Sequence, residues 1–170
     1  FFDGGGGWSV AYKNFTDMGW GYKPGEVRPV MCAKAHTDAA FTKLMTDMAL
    51  ATGHTRWMAC FWQEVNDDIR DGNISAAQYR ATWTRMDALR KAHPSGSLVN
   101  FVPIMNAYVV EDQAALALAG GFDAVTLCKG LPIDMLGYDL YDNAWRPGTW
   151  DAAKYLAPAE KAATACGVPC

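Results

Sequence analysis

Charge is scarce in this chain. Only 19% of its 170 residues are Asp, Glu, Lys or Arg, and they sum to a net charge of -3 with no run of Lys or Arg. The basic surface that a nucleic acid or an anionic membrane attracts is therefore missing, and nucleic acid is excluded as a partner. Long apolar runs are missing too: none reaches the roughly 18 to 20 residues that a spanning helix needs, so no membrane insertion is expected. Histidine occurs three times and cysteine five times, an odd count. Cys32, Cys60 and Cys128 each lie in an apolar stretch, where a free thiol behaves as a small hydrophobe. A grouping of Cys32, His36 and Cys60 has no known ligand spacing. His54 and His93 fall at expected helix ends, where they suit the last turn. No metal and no cofactor is therefore expected. Cys166 and Cys170 are close enough to pair if the tail bends, but Gly167-Val168-Pro169 between them can equally run extended. The chain opens at Phe1-Phe2-Asp3 without an initiator Met, a basic flank or a signal-peptide pattern, so an earlier gene start is expected.

Apolar side chains are abundant at 51% of the residues, enough for one domain with a sizeable core. Helix and strand signals alternate along the chain, the pattern of a parallel sheet covered by helices. Strands are expected at about residues 28–35, 55–64, 98–108 and 133–141, with Pro103 a warning against regular pairing. Thr37 or Asp38 caps a helix in which Phe41, Leu44, Met45 and Met48 recur at helical spacing up to Gly53. The clearest helix begins at the capping box Ser75-Ala76-Ala77-Gln78. Its stripe is Tyr79, Trp83, Met86 and Leu89, with Arg80, Arg85, Arg90 and Lys91 outside it, and Pro94-Ser95-Gly96 ends it. A short helix is expected over residues 112–119. A longer one runs from Thr149 to Gly167, where Pro158 either kinks it or begins a second helix. Residues 1–27, which include Gly4-Gly5-Gly6-Gly7, form an N-terminal Gly- and aromatic-rich segment of the same domain; residues 28–170 carry the alternating pattern. The glycine run reads as a mobile loop, because no Lys-Ser/Thr follows it as in a phosphate-binding loop.

The most informative feature is Gln63-Glu64, placed at the end of the apolar run Thr55-Arg56-Trp57-Met58-Ala59-Cys60-Phe61-Trp62. A carboxylate where a parallel strand opens into a loop stands where α/β barrels keep their chemistry. The acidic stretch Val65-Asn66-Asp67-Asp68-Ile69-Arg70-Asp71-Gly72-Asn73 then reads as that loop. The plainer alternative is a Glu that caps the loop or pairs with Arg70. Trp62, Tyr108, Tyr138, Tyr141 and Trp145 gather at or near strand ends, and aromatic rings there suit the apolar face of a sugar, although most tryptophans serve core packing.

The segment from Phe61-Trp62-Gln63-Glu64 through Ala76-Ala77-Gln78-Tyr79-Arg80-Ala81-Thr82-Trp83 resembles the fourth strand and fourth helix of family 26 glycoside hydrolases, the β-mannanase-like type. The usual pattern there is His-Glu-Pro, an acidic loop and a helix beginning Ala-x-x-Tyr-x-x-x-Trp. Gly137-Tyr138-Asp139-Leu140-Tyr141-Asp142-Asn143 is similar to that family's sixth strand, and Ala165-Cys166-Gly167-Val168-Pro169 to the approach to its seventh. Gln63 replaces the usual His and Val65 the usual Pro. The resemblance implies a (β/α)8 barrel, partial here with five or six strand-helix units. It implies Glu64 as general acid/base, Tyr141 as the tyrosine beside the nucleophile, and retaining hydrolysis of a β-linked polysaccharide, mannan or glucan. Gln63, Trp62, Asn106, Tyr108, Asp139 and Trp145 are the expected substrate-binding residues. The nucleophilic Glu would end the seventh strand, beyond Cys170, so residues 1–170 alone are expected to hydrolyse little. The rest of the barrel, or another chain, is then an expected partner beside the polysaccharide or oligosaccharide. An extracellular or cell-surface location follows from such a substrate. The alternative is a non-catalytic carbohydrate-binding or structural module on the same barrel, in a surface or virion assembly.

Overall fold

The computed structural model describes residues 30–33, 37–51, 56–106, 123–139 and 152–170. In chain order they form β1 (Val30–Ala33), α1 (Asp38–Ala51), β2 (Trp57–Phe61), α2 (Val65–Arg70), α3 (Ala76–Ala92), a 3-10 turn (Gly96–Leu98), β3 (Val99–Phe101), β4 (Ile104–Asn106), α4 (Ala124–Cys128), β5 (Gly137–Asp139) and α5 (Ala152–Cys166). The expected segment 1–27 and the helix over 112–119 lie outside the described residues. The chain is α/β, with every described strand pair parallel: β1 with β2, β2 with β3, and β4 with β5. Among the described residues the strands do not close into a barrel.

Pro103 explains why the third expected strand divides into β3 and β4. It lacks an N–H, so one ladder bond is lost there. Continuity is kept on both sides. Val102 N–H donates to Ala59 O at 2.9 Å and Glu64 N–H to Ile104 O at 2.9 Å, while Gly137 N–H donates to Pro103 O at 2.8 Å. The described strands thus make a three-stranded sheet, β1-β2-β3, and a two-stranded sheet, β4-β5, which these bonds link around Pro103 in sequence order. Leu136 N–H donates to Pro169 O at 2.9 Å, whereas the next amide, Gly137, points to Pro103. The C-terminal tail therefore meets the chain at Leu136, immediately before β5.

The two faces of the sheet differ in what covers them. Trp57, Ala59 and Phe61 of β2, Val99 and Phe101 of β3 and Met105 of β4 share one core with Phe41, Leu44, Met45 and Met48 of α1, Tyr79, Trp83 and Met86 of α3, Leu127 and Cys128 of α4 and Ala163 of α5. Val65 and Ile69 of α2 join the same core, so all five described helices contribute to it. Its centre is aromatic: the Trp83 ring lies 4.6 Å from Phe61 and 5.3 Å from Phe101, both nearly edge to face, the geometry the ring quadrupoles favour. Cys60, Val102 and Ile104 form a smaller cluster on the opposite face, with Met58 and Met135 beside it.

Several helix ends follow the expected chemistry. Thr37 Oγ1 accepts from Ala40 N–H at 3.1 Å at the start of α1. Ser75 and Gln78 close the reciprocal capping box of α3. Gly167, at φ 78°, ends α5, with Gly167 N–H bonded to Thr164 O and Val168 N–H to Ala163 O. Pro158 lies inside α5, which runs through it.

Other expectations are corrected. β2 stops at Phe61, three residues early, and the supposed acidic loop contains α2. Val65 and Ile69 are buried one helical turn apart there, a spacing the run of Asp residues obscures. Residues 133–136 are irregular, and β5 is confined to Gly137–Asp139. The short helix α4 was not expected at all. Arg80, outside the apolar stripe as expected, is partly exposed, and its guanidinium donates to the carbonyls of Thr126, Leu127 and Lys129, which closes the C-terminal end of α4. Arg90 is enclosed, stacked 4.1 Å from the Phe101 ring centroid and bonded to Asp87, Asp134 and Val99 O. No helix among the described residues is long and apolar enough to cross a membrane.

Candidate functional site

Beyond β2 the backbone does something unusual. Trp62 and Glu64 both adopt left-handed conformations, at φ 57° and φ 56°, and they are the described non-glycine residues that do so. A left-handed L-residue costs roughly 1–2 kcal/mol, and for a bulky residue such as Trp it is a genuine outlier. Such outliers persist where the surroundings over-determine them, and they collect at functional sites. Here Glu64 is fixed by its N–H on Ile104 O and by its carbonyl, which accepts from Asp67 N–H at 3.1 Å and starts α2. The carbonyl, not the carboxylate, therefore caps the helix, and no side-chain capping bond is made. Glu64 and Gln63 are both half-buried, and Asn66 beside them is buried at 4% exposure.

The neighbouring strands bring further polar positions to the same edge. Asn106 and Asp139 are register partners at the ends of β4 and β5. Because Glu64 N–H meets Ile104 O, the Gln63-Glu64 turn stands beside β4, at the strand's first residue. Asn106 thus faces Asp139 across β4 and β5, while the Gln63-Glu64 turn that follows β2 meets β4 two residues earlier, at Ile104. Tyr108, Tyr141 and Trp145, also expected at the site, lie outside the described residues. Tyr138 belongs to the helix-side core. Burial pushes its phenol well above the ordinary tyrosine range, and the nearby thiols of Cys170, Cys128 and Cys166 push the same way.

Trp62 is placed differently from its neighbours. Its Nε1 donates to Asp68 Oδ2 at 2.8 Å, and Asp68 Oδ1 accepts from Asn73 Nδ2 at 2.9 Å. Its side chain lines a pocket of about 380 Å³ with Asn73, Ile74, Gln78, Ala81, Thr82 and Arg85. Of these, the sequence singles out only Trp62 as a site residue, with Gln78 in the helix capping box and Arg85 outside the apolar stripe of α3. The available signal was Trp62 followed by an acidic turn and a helix with small and polar residues at 78, 81, 82 and 85, which share one face at helical spacing.

The described thiols with raised pKa do not resemble reaction centres. Cys128 is buried, which pushes its thiol well above the ordinary range. Cys166 and Cys170 are likewise raised, first by burial, and neither is in a disulfide. Thiols held protonated are poor nucleophiles. Among the described residues no group of three His, Cys, Asp or Glu side chains is arranged to hold a metal ion.

No family model matches the chain, and no curated protein or solved structure is detectably similar to it.

Proposed function

We propose that this chain is part of a glycosidase-like (β/α)8 barrel of the β-mannanase type, which hydrolyses a β-linked polysaccharide with retention. Glu64 is the general acid/base. The observation that carries the reading is the left-handed Glu64 in the turn after β2, pinned to Ile104 O of β4 among parallel strand pairs that follow one another in sequence order. Sequence-ordered parallel strands with helices on one face are the arrangement of a barrel, whose chemistry sits at that edge.

In this reading the Glu64 carboxylic acid protonates the glycosidic oxygen as the bond to the anomeric carbon breaks. A second carboxylate attacks that carbon from the other side at a separation of about 5 to 5.5 Å from the first. Glu64, now a carboxylate, takes a proton from the water that releases the sugar. The second carboxylate belongs to the strand after α5, and the Pro169 carbonyl on Leu136 N–H supports a strand beginning there beside β5. Gln63, Asn106 and Asp139, with Tyr108, Tyr141 and Trp145, are the proposed substrate contacts, and the setting is extracellular or on a cell surface.

The test compares wild-type and Glu64→Gln protein carrying the strand after α5, on β-1,4-mannan and β-glucan oligosaccharides and on an activated aryl glycoside. Loss of the acid/base is expected to lower the rate on oligosaccharides on the order of 10²- to 10⁴-fold. Glycosylation by the aryl glycoside, whose leaving group needs no proton, should be largely spared. Turnover insensitive to Glu64→Gln overturns the assignment. A wild-type protein that binds the oligosaccharides without cleaving them supports a non-catalytic binding module instead.

A further inference from the structure

Trp62 stands apart from the other described tryptophans of the core. Trp57 and Trp83 are fully buried, whereas Trp62 keeps part of its ring open. That ring is held in place twice, by a left-handed backbone and by the Nε1 bond to Asp68, which Asn73 braces in turn. Backbone cost combined with a fixed ring is the signature of a pre-organised contact, because a ligand then loses less freedom on binding.

The pocket beside the ring matches one chemistry. Ile74 and Ala81 extend the apolar surface of Trp62, and the rest of the lining is polar. Gln78 Oε1 is committed to the Ser75 backbone N–H, which leaves its amide Nε2 to donate. Thr82 Oγ1 spends its proton on Gln78 O and keeps lone pairs. Arg85 is engaged through Nε by Asp38 at 3.2 Å, so its terminal nitrogens remain as donors. An apolar platform rimmed by donors and acceptors suits a pyranose ring, which has apolar faces and an edge of hydroxyls that both give and accept hydrogen bonds. At about 380 Å³ the space is at the small end of ligand pockets, right for a short stretch of sugar chain.

We infer that the pocket between Trp62 and the face of α3 carrying Gln78, Ala81, Thr82 and Arg85 is a second saccharide-binding site, outside the strand-end site, that holds part of the same polysaccharide. The identity of the sugar as the ligand rests on the proposed function. The site itself stands on the pocket and the fixed ring.

The test uses Glu64→Gln protein, so that hydrolysis does not intrude, with β-1,4-mannohexaose and cellohexaose as calorimetric probes. Ala81→Glu blocks the pocket from an exposed helical position, where the new carboxylate is four residues before Arg85, a spacing that supports the helix while drawing the guanidinium inward. Trp62→Leu removes the ring, and circular dichroism verifies both folds. The expected result is binding weakened at least tenfold by each variant for at least one probe. Binding lost with Trp62→Leu but unchanged by Ala81→Glu overturns the inference, because the ring then serves another surface. No binding of either probe to the Glu64→Gln protein also overturns it. Binding that depends on Ala81 in a protein whose wild type cleaves nothing would leave this site standing while the proposed hydrolysis fails.

Discussion

Single residues decide where this chain spends stability. At Glu64 the left-handed backbone penalises any side chain, so Glu64→Gly and Glu64→Ala, which remove the same carboxylate, should differ. The glycine variant is expected to be more stable by about 1 kcal/mol in chemical denaturation, since only it relieves the backbone. Equal stabilities would show that the turn is unstrained. Arg90 works in the opposite sense, as a structural charge at the amino end of β3, far from the Glu64 edge. It bridges Asp87 and Asp134 and covers Phe101, and removing one partner of a buried ion pair strands the other. Arg90→Met should therefore destabilise the protein by about 3 kcal/mol, read from the denaturation midpoint. Burial pushes the Asp87 carboxyl upward, but hydrogen bonds from Lys91 and Arg90 and their charges outweigh it, so its pKa lies below the ordinary value. A depressed folded pKa adds stability above the unfolded value of about 3.9 and loses it as pH falls through the lower folded value. Asp87→Asn should flatten the stability profile in that acid window, and an unchanged acid limb would refute it. From the sequence, the polar turn after β2 was legible because Gln63-Glu64 follows an apolar run, although the strand stops earlier, at Phe61. The conformation of the turn was not, because nothing in Trp62-Gln63-Glu64 has the residue types that left-handed backbone favours.

At the scale of elements, local signals were readable wherever one kind of chemistry acted alone. The capping box at Ser75, the glycine stop at Gly167 and the stripe of Tyr79, Trp83 and Met86 were legible because each is set by neighbours in sequence. α2 and α4 were not, since each is too short to show a period and draws support from distant groups, as when Arg80 of α3 holds the carbonyl end of α4. The junction of α3 with β3 gives a sharp test of such long-range fit. A Cβ on Gly96 would lie 1.7 Å from the Arg90 carbonyl oxygen, whereas at Gly72, with φ 78°, a Cβ meets nothing within 4 Å. Gly96→Ala must displace backbone and is expected to lose on the order of 2 kcal/mol or more. Gly72→Ala meets only the conformational penalty of about 1 kcal/mol. The pair, compared by thermal or urea unfolding, separates steric from conformational use of glycine. If both variants are equally mild, the close approach of Gly96 to α3 is wrong.

For the molecule as a whole, the order of the strands carries more meaning than any motif. A doubly wound sheet reverses its strand order and places helices on both faces. Among the described residues β1-β2-β3 and β4-β5, two sheets linked around Pro103, follow sequence order, and α1, α3, α4 and α5 share a single core. This organisation was legible in outline from the alternation of strand and helix signals. The break at Pro103 and the docking of the tail depend on hydrogen bonds between residues far apart in sequence, which no local pattern reveals. The tail offers the decisive measurement. Pro169 O receives the Leu136 amide, and Val168 N–H closes α5 on Ala163 O, so residues 168–170 tie the last helix to Leu136, just before β5. Deleting residues 168–170 removes both bonds and is expected to lower stability by about 1 to 3 kcal/mol. Hydrogen exchange should show the loss locally, with the Leu136 amide turning fast while Gly137, bonded to Pro103 O on the other side, stays protected. If Leu136 keeps its protection after the deletion, the tail does not extend the sheet, and the progression of strands on which the barrel reading depends ends at β5.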